Sequence, residues 1–178
     1  HLAPSYGKSR NVGQAIIDQM FPSGDDGRIP LVAVTGTNGK TTTARLVAHL
    51  LRTANMRVGT TSTEGSWVDG QMLDSGDCAG PKSARSVLMH PDVDAAVFET
   101  ARGGVLREGL GFDRCHVAIV TNVGAGDHLG LNYITTVNEL AVLKRVIVQN
   151  VASTGTAVLN AADPIVAAMA SKCKGTVI

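Results

Sequence analysis

Short apolar runs alternate with helical patterns along most of the chain. Leu31–Val34, Ala95–Phe98, Val117–Val120 and Ala157–Leu159 are unbroken apolar stretches, too short for helices and without the polar alternation of a half-exposed strand. They predict strands buried on both faces, with Arg57–Thr60 as a weaker candidate. Between them Thr41–Thr53, Ser83–Met89, Val137–Val148 and Ile165–Ser171 carry apolar residues at helical spacing. Trp67-Val68-Asp69-Gly70-Gln71-Met72-Leu73 predicts a small hairpin turning on Asp-Gly. This alternation implies right-handed crossovers and an α/β fold with a mostly parallel sheet flanked by helices. In such folds ligands gather at the carboxyl ends of the strands.

Ahead of this pattern Val12, Ile16, Ile17 and Met20 mark a helix over Asn11–Met20, and Phe21–Gly27 reads as a linker. The expected organisation is a leading segment over residues 1–28 and one domain over 29–178. The start, His1-Leu2-Ala3-Pro4-Ser5, reads as that of an excised piece of a larger protein, and Gly175–Ile178 as a strand cut short.

A length of 178 residues suits one domain and is short for two. Sixteen Lys and Arg against fifteen Asp and Glu argue against a basic nucleic-acid surface or an acidic tail. Aromatic residues make up only 3% of the chain, so Val, Ala, Leu and Ile must build the core. No apolar run approaches bilayer length, so neither nucleic acid nor membrane is an expected partner. Cys78, Cys115 and Cys173 are odd in number and scattered, which fits neither a disulfide framework nor paired metal ligands. Cys115-His116 reads as an incidental pair, and a reducing cytoplasm is the expected compartment.

Leu31–Val34 runs straight into Thr35-Gly36-Thr37-Asn38-Gly39-Lys40-Thr41-Thr42 and then a helix. A strand, a glycine-rich turn and a helix N-terminus form a cradle for a polyphosphate. Gly36, Thr37, Asn38, Gly39, Lys40, Thr41 and Thr42 are therefore the expected nucleotide-binding residues, with ATP or another triphosphate as ligand. Lys40 would reach the terminal phosphates and the Thr41 hydroxyl would hold Mg²⁺. Val34 stands where the common GxxxxGK[ST] form has its first glycine.

Glu99 ends the run Ala95–Phe98, where a carboxylate beside a phosphate loop can hold Mg²⁺. Asp127 and His128 follow the run Val117–Val120, and His128 suggests a second cation site. Lys144, flanked by Leu140, Leu143 and Val146, reads from pattern alone as a lysine snorkelling from a helix edge.

Taken together, these residues resemble the ATP-binding central domain of the Mur ligase superfamily. Within it the chain is similar to the cyanophycin synthetase family, on Gly76–Arg85, Glu99–Gly109, Thr121-Asn122-Val123 with Gly126-Asp127-His128-Leu129-Gly130, and Asn160–Pro164. The resemblance implies that Lys40 neutralises the ATP phosphates, that Thr41 and Glu99 lie on one Mg²⁺, and that His128 lies on a second cation. It also implies that Lys144 is the lysine many members carry as a carbamate, making Lys40, Glu99, His128 and Lys144 the catalytic set. Two positions depart from the family pattern: Ala162 replaces an acid in Asn160-Ala161-Ala162-Asp163-Pro164, and His116 stands where an acid is usual.

The chemistry implied is ATP-dependent amide formation. The γ-phosphate moves to a carboxylate, an amine attacks the acyl phosphate, and phosphate leaves. In the cyanophycin branch the carboxylate belongs to an aspartate side chain of a polyaspartate backbone and the amine is the α-amine of arginine. Arg85, Arg102 and Arg107 are candidate contacts for that acidic polymer, beside a reading as ordinary surface charge. Other partners implied are the remaining domains of the same enzyme and, for the full enzyme, further copies of itself. The chain alone is expected not to ligate. A small phosphoryl-transfer enzyme and a non-catalytic nucleotide-binding module are the alternatives, whereas Thr121-Asn122-Val123-Gly124 lacks the NKxD-like signal of a guanine-specific switch.

Overall fold

The computed structural model describes residues 12–22, 24–124, 129–130 and 133–178. In chain order the elements are α1 (Val12–Met20), β1 (Leu31–Thr35), α2 (Lys40–Thr53), β2 (Val58–Ser62), β3 (Gly65–Val68), β4 (Gln71–Ser75), α3 (Pro81–Leu88) and β5 (Ala95–Glu99). Then follow α4 (Arg102–Glu108), β6 (Cys115–Val120), α5 (Val137–Lys144), α6 (Val146–Gln149), β7 (Val151–Leu159), α7 (Pro164–Ala167), a 3-10 turn (Ala168–Lys172) and β8 (Thr176–Val177).

All eight strands join one sheet in the order β4-β3-β2-β5-β1-β6-β7-β8. The β2-β5-β1-β6-β7-β8 block is parallel, and β3 and β4 add an antiparallel edge. The expected α/β architecture is therefore present. Central β1 is buried along its whole length, as a strand covered on both faces must be. The predicted hairpin turns on Asp69 and Gly70, both at positive φ (47° and 82°), as a two-residue turn between twisted strands requires.

The two faces of the sheet are covered unequally. On one, Ala33, Ala96, Phe98, Ala118, Val120 and Ala157 pack against α3, α5, α6 and α7 through Val87, Leu140, Ile147 and Val166. Phe98 is fully buried, with its ring 6.1 Å from that of Phe112, and burying a ring of that size contributes about 2–3 kcal/mol. On the other face Val32, Val34, Val58 and Val97 meet α2 through Ala44 and Ala48.

Among the described residues α2 is the one helix on this second face. Val117 and Ile119 of β6 are consequently only half buried and Val158 of β7 is exposed. Full burial predicted from these runs thus holds for β1 and β5 but not for β6 and β7. Helix α1 forms where the spacing predicts it, yet none of its residues is buried, and Val12, Ile16, Ile17 and Met20 remain exposed.

Two further expectations are corrected, and one helix was not expected. The helix predicted over Val137–Val148 is two, α5 and α6, meeting at Arg145. That predicted over Ile165–Ser171 is a single α-turn continued as a 3-10 turn. Helix α4 was not predicted at all, because Gly103-Gly104 makes Arg102–Glu108 a weak helix former. Gly104 earns its place by close packing: a Cβ there would sit 2.9 Å from the Gly80 Cα.

Candidate active site

Strand β1 delivers the turn Gly36–Gly39 to the N-terminus of α2 at the carboxyl edge of the sheet. Gly39 caps α2 in the left-handed conformation, φ 83°. Gly36 has φ 151°, and a side chain there would overlap the Thr121 hydroxyl. Both glycines are therefore required by the backbone path. Lys40, Thr41 and Thr42 form the first turn of α2, whose amides have no acceptor within the helix. The Lys40 ammonium donates to the Thr37 carbonyl at 3.0 Å, so it lies folded over the rim of the turn.

Glu99 is the last residue of β5, immediately beside β1, with Val34 paired to it. It is only 2% exposed. The Thr41 hydroxyl donates to Glu99 Oε2 at 2.7 Å. Glu99 Oε1 is buried and has no hydrogen-bond partner among the described residues. A buried carboxylate oxygen without a donor is costly unless something fills its coordination. Next to a hydroxyl and a phosphate turn, the group that fits is a hard divalent cation with oxygen ligands. Thr41 and Glu99 would hold Mg²⁺, and the donor set fits it. Among the described residues no cluster of three or more His, Cys, Asp and Glu forms a metal site. Asp127 and His128 lie outside the described residues.

Lys144 departs from its pattern reading. It is 4% exposed rather than snorkelling, and its ammonium donates to the Gly36 carbonyl at 2.8 Å. The local sequence explains this placement. Thr136-Val137-Asn138-Glu139 closes a capping box, with Thr136 accepting from the Glu139 amide and Glu139 accepting from the Thr136 amide. These bonds, with that from the Thr135 amide first, also hold the Glu139 carboxyl below its ordinary range. The box fixes where α5 starts, so Leu140 and Lys144, four apart, share its buried face.

The segment after β6 is knitted to the phosphate turn. Asn122 Oδ1 accepts from the Asn38 amide at 2.9 Å while Asn122 Nδ2 donates to the Asn38 carbonyl at 3.1 Å. The Thr37 amide donates to the Asn122 carbonyl, the Gly124 amide to the Thr37 hydroxyl, and the Thr121 hydroxyl to the Asn38 carbonyl. These bonds occupy the amides of Thr37 and Asn38. They leave the first turn of α2 as the donor surface facing an anion. Asp163 completes the framework: Oδ2 accepts from the Val123 amide and Oδ1 caps α7. Ala162 makes no such bond through its side chain, and its amide donates to Asn160 Oδ1.

The candidate arginines lie on α3 and α4. Arg85 on α3 pairs with Glu108 of α4 at 3.0 Å, and both are exposed. Arg102 and Arg107 stand at the two ends of α4. Among the described residues Lys40, Thr41, Glu99 and Lys144, together with the turn, are brought into one place. Sequence reasoning missed the positioning roles of Thr37, Thr121 and Asn122, because their partners are more than eighty positions away. Cys115 and His116 hold no common site. Burial pushes the Cys115 thiol up to about 12, and His116 Nδ1 accepts from the Leu31 amide.

This architecture has counterparts. A family profile, the Mur ligase middle domain, matches residues 34–178, and the chain belongs to that family. The chain is 53% identical to a cyanophycin synthetase from Synechocystis sp. over 99% of its own length and 20% of that protein's. It is 30% identical to a UDP-N-acetylmuramoyl-L-alanyl-D-glutamate–2,6-diaminopimelate ligase from Chlorobium phaeobacteroides, over 80% of this chain and 28% of that one. Among solved structures it superposes on another 2,6-diaminopimelate ligase with a TM-score of 0.70 and 22% identity, covering 93% of this chain and 34% of that chain. FolC of E. coli, bound to DHPP and ADP, gives 0.60 at 18% identity over 98% of this chain and 52% of that one. These two likenesses are of fold. The chain spans about a fifth of the length of the cyanophycin synthetases it matches.

Proposed function

We propose that this chain is the nucleotide-binding module of an ATP-dependent amide ligase of the cyanophycin synthetase kind, cytoplasmic and part of a longer multidomain enzyme. The observation that carries the reading is the Thr41–Glu99 pair at the mouth of the phosphate turn, its carboxylate buried and one carboxylate oxygen without a donor among the described residues. The identity to cyanophycin synthetases along almost the whole chain supports the particular substrates.

In this reading the amides of Lys40, Thr41 and Thr42 and the Lys40 ammonium receive the phosphates of ATP. Thr41 and Glu99 hold Mg²⁺, which when bound neutralises charge on the transferring phosphate. His128 serves a second cation. The γ-phosphate passes to an aspartate side-chain carboxylate of a polyaspartate backbone, and ADP leaves. The arginine α-amine attacks the acyl carbon of that acyl phosphate, loses a proton, and expels phosphate to leave an isopeptide bond. What this chain contributes is positioning and electrostatic stabilisation rather than covalent chemistry. Lys144, donating to Gly36, fixes the turn in its amine form, and its carbamate is the alternative state. Arg85, Arg102 and Arg107 remain proposed contacts for the acidic substrate. Residues 1–28 form a leading segment to a domain over 29–178. The chain by itself closes no isopeptide bond, because the module spans a fifth of its relatives and needs the rest of the enzyme around its substrates.

Hydroxylamine trapping tests this. In the full-length enzyme with ATP, Mg²⁺ and an aspartate polymer, a hydroxamate should form on the polymer, and Lys40→Ala should reduce it by about 10²-fold or more. A phosphorylated product stable to hydroxylamine would point to a kinase and refute the ligase reading. Phosphate release unaffected by Lys40→Ala would reduce the chain to a non-catalytic module.

A further inference from the structure

A second recess opens beside this site, on the sheet face covered by α2. It encloses about 290 Å³ between α2 and the β2–β3 edge, and Arg45, Arg52, Thr60, Ser62 and Trp67 line it. Its position follows from register. Thr61 pairs with Phe98, so Ser62 stands level with Glu99 on the neighbouring strand, a spacing of about 4.8 Å. Thr60 lies opposite Trp67, so both side chains share that face. Arg45 and Arg52 are seven residues apart on α2, about 10 Å along its axis and on one side of it.

The charges are arranged for a carboxylate-bearing ligand. Arg45 forms an exposed pair with Glu64, and Arg52 has no ion-pair partner among the described residues. The rest of the lining is Ala44, Ala48, Thr60, Thr61, Ser62, Trp67 and Gly70. Two guanidinium forks carried on one side of the same helix can each receive a carboxylate. We propose that this recess binds an acidic peptide chain, with carboxylates on Arg45 and Arg52 and its backbone against Trp67. That this chain is the polymer being extended rests on the ligase reading, while the binding itself does not.

Trp67 is the only tryptophan of the chain, so its emission reports on the recess directly. Titrating the 178-residue chain with hepta-aspartate, without nucleotide, should give a saturable change in that emission that weakens with salt. Hepta-lysine should give none. Arg45→Gln with Arg52→Gln should raise the half-saturating concentration by about tenfold or more. Glu64→Gln, which releases Arg45, should lower it. Arg52→Gln alone, at an exposed helix position, keeps the test available if the double variant unfolds. No saturable change in the wild type, an unaltered midpoint in the arginine variants, or equal displacement by inorganic tripolyphosphate would overturn the proposal. Hydroxamate formation in the full-length enzyme tests the ligase reading separately, so either result can fail without the other.

Discussion

Asn122 spends both ends of its amide on a single neighbour, the backbone of Asn38. A side chain that pairs like a strand edge holds the turn open for an anion while using none of the amides in the first turn of α2. Asn122→Ala should leave the sheet intact and cost about 1–2 kcal/mol of loop order. In isothermal titration this would appear as weaker nucleotide binding with little change in melting temperature. Unchanged affinity would mean that the turn keeps its shape without this clamp. A second residue-scale expectation concerns acid. Arg28 donates twice to Asp113 and holds its carboxyl down to about 2, against 3.8 for a free group. A depressed carboxyl pKa stabilises above the unfolded value and is lost as pH falls through the folded one. Asp113→Asn should therefore flatten the loss of stability between about pH 4 and 2, measured by urea midpoints. An unchanged slope would show that this exposed pair contributes nothing.

At the scale of elements, α5 carries its function through its starting point. The Thr-x-x-Glu signal is legible in the sequence, and the structure shows it setting the face on which Lys144 is buried. What the sequence could not show is the Gly36 carbonyl, 108 positions away. A lysine among apolar neighbours therefore read as snorkelling. Lys144→Met should remove the bond to Gly36 and lower stability by about 1–3 kcal/mol, read as a fall in melting temperature of the chain. No change would show that the turn does not depend on that ammonium. In the full-length enzyme Lys144→Ala should cripple turnover. Partial rescue by small carboxylic acids would favour the carbamate state, and failure of rescue the amine. Helices α2 and α3 lie within two residues of the predicted spans, whereas β7 begins six residues before the predicted Ala157. The unbroken apolar runs placed β1, β5 and β6 within two residues, and Asp69-Gly70 placed the hairpin turn. Helix α4 escaped because packing against Gly80 and Pro81, not propensity, selects Gly104.

At the scale of the molecule, the sheet brings the ends of β1, β5 and β6 to one edge, and this topology turns separate motifs into a site. Which strands are neighbours was not readable from apolar runs. The parallel pairing of β1 with both β5 and β6 is what puts Glu99 and Asn122 on either side of the turn. Uneven cover was equally hidden, since a half-buried Val117 and a buried Val34 look alike in a sequence. The ligase reading depends on the Thr41–Glu99 pair receiving a cation beside a bound triphosphate. A crystal structure of the chain soaked with Mn²⁺ and a non-hydrolysable ATP analogue, with anomalous scattering recorded, addresses this most directly. The account predicts a manganese peak in contact with Thr41 Oγ1 and a Glu99 carboxylate oxygen, with phosphates over the first turn of α2. A peak bound elsewhere, with Thr41 still bonded to Glu99 and the phosphates away from that turn, would contradict it.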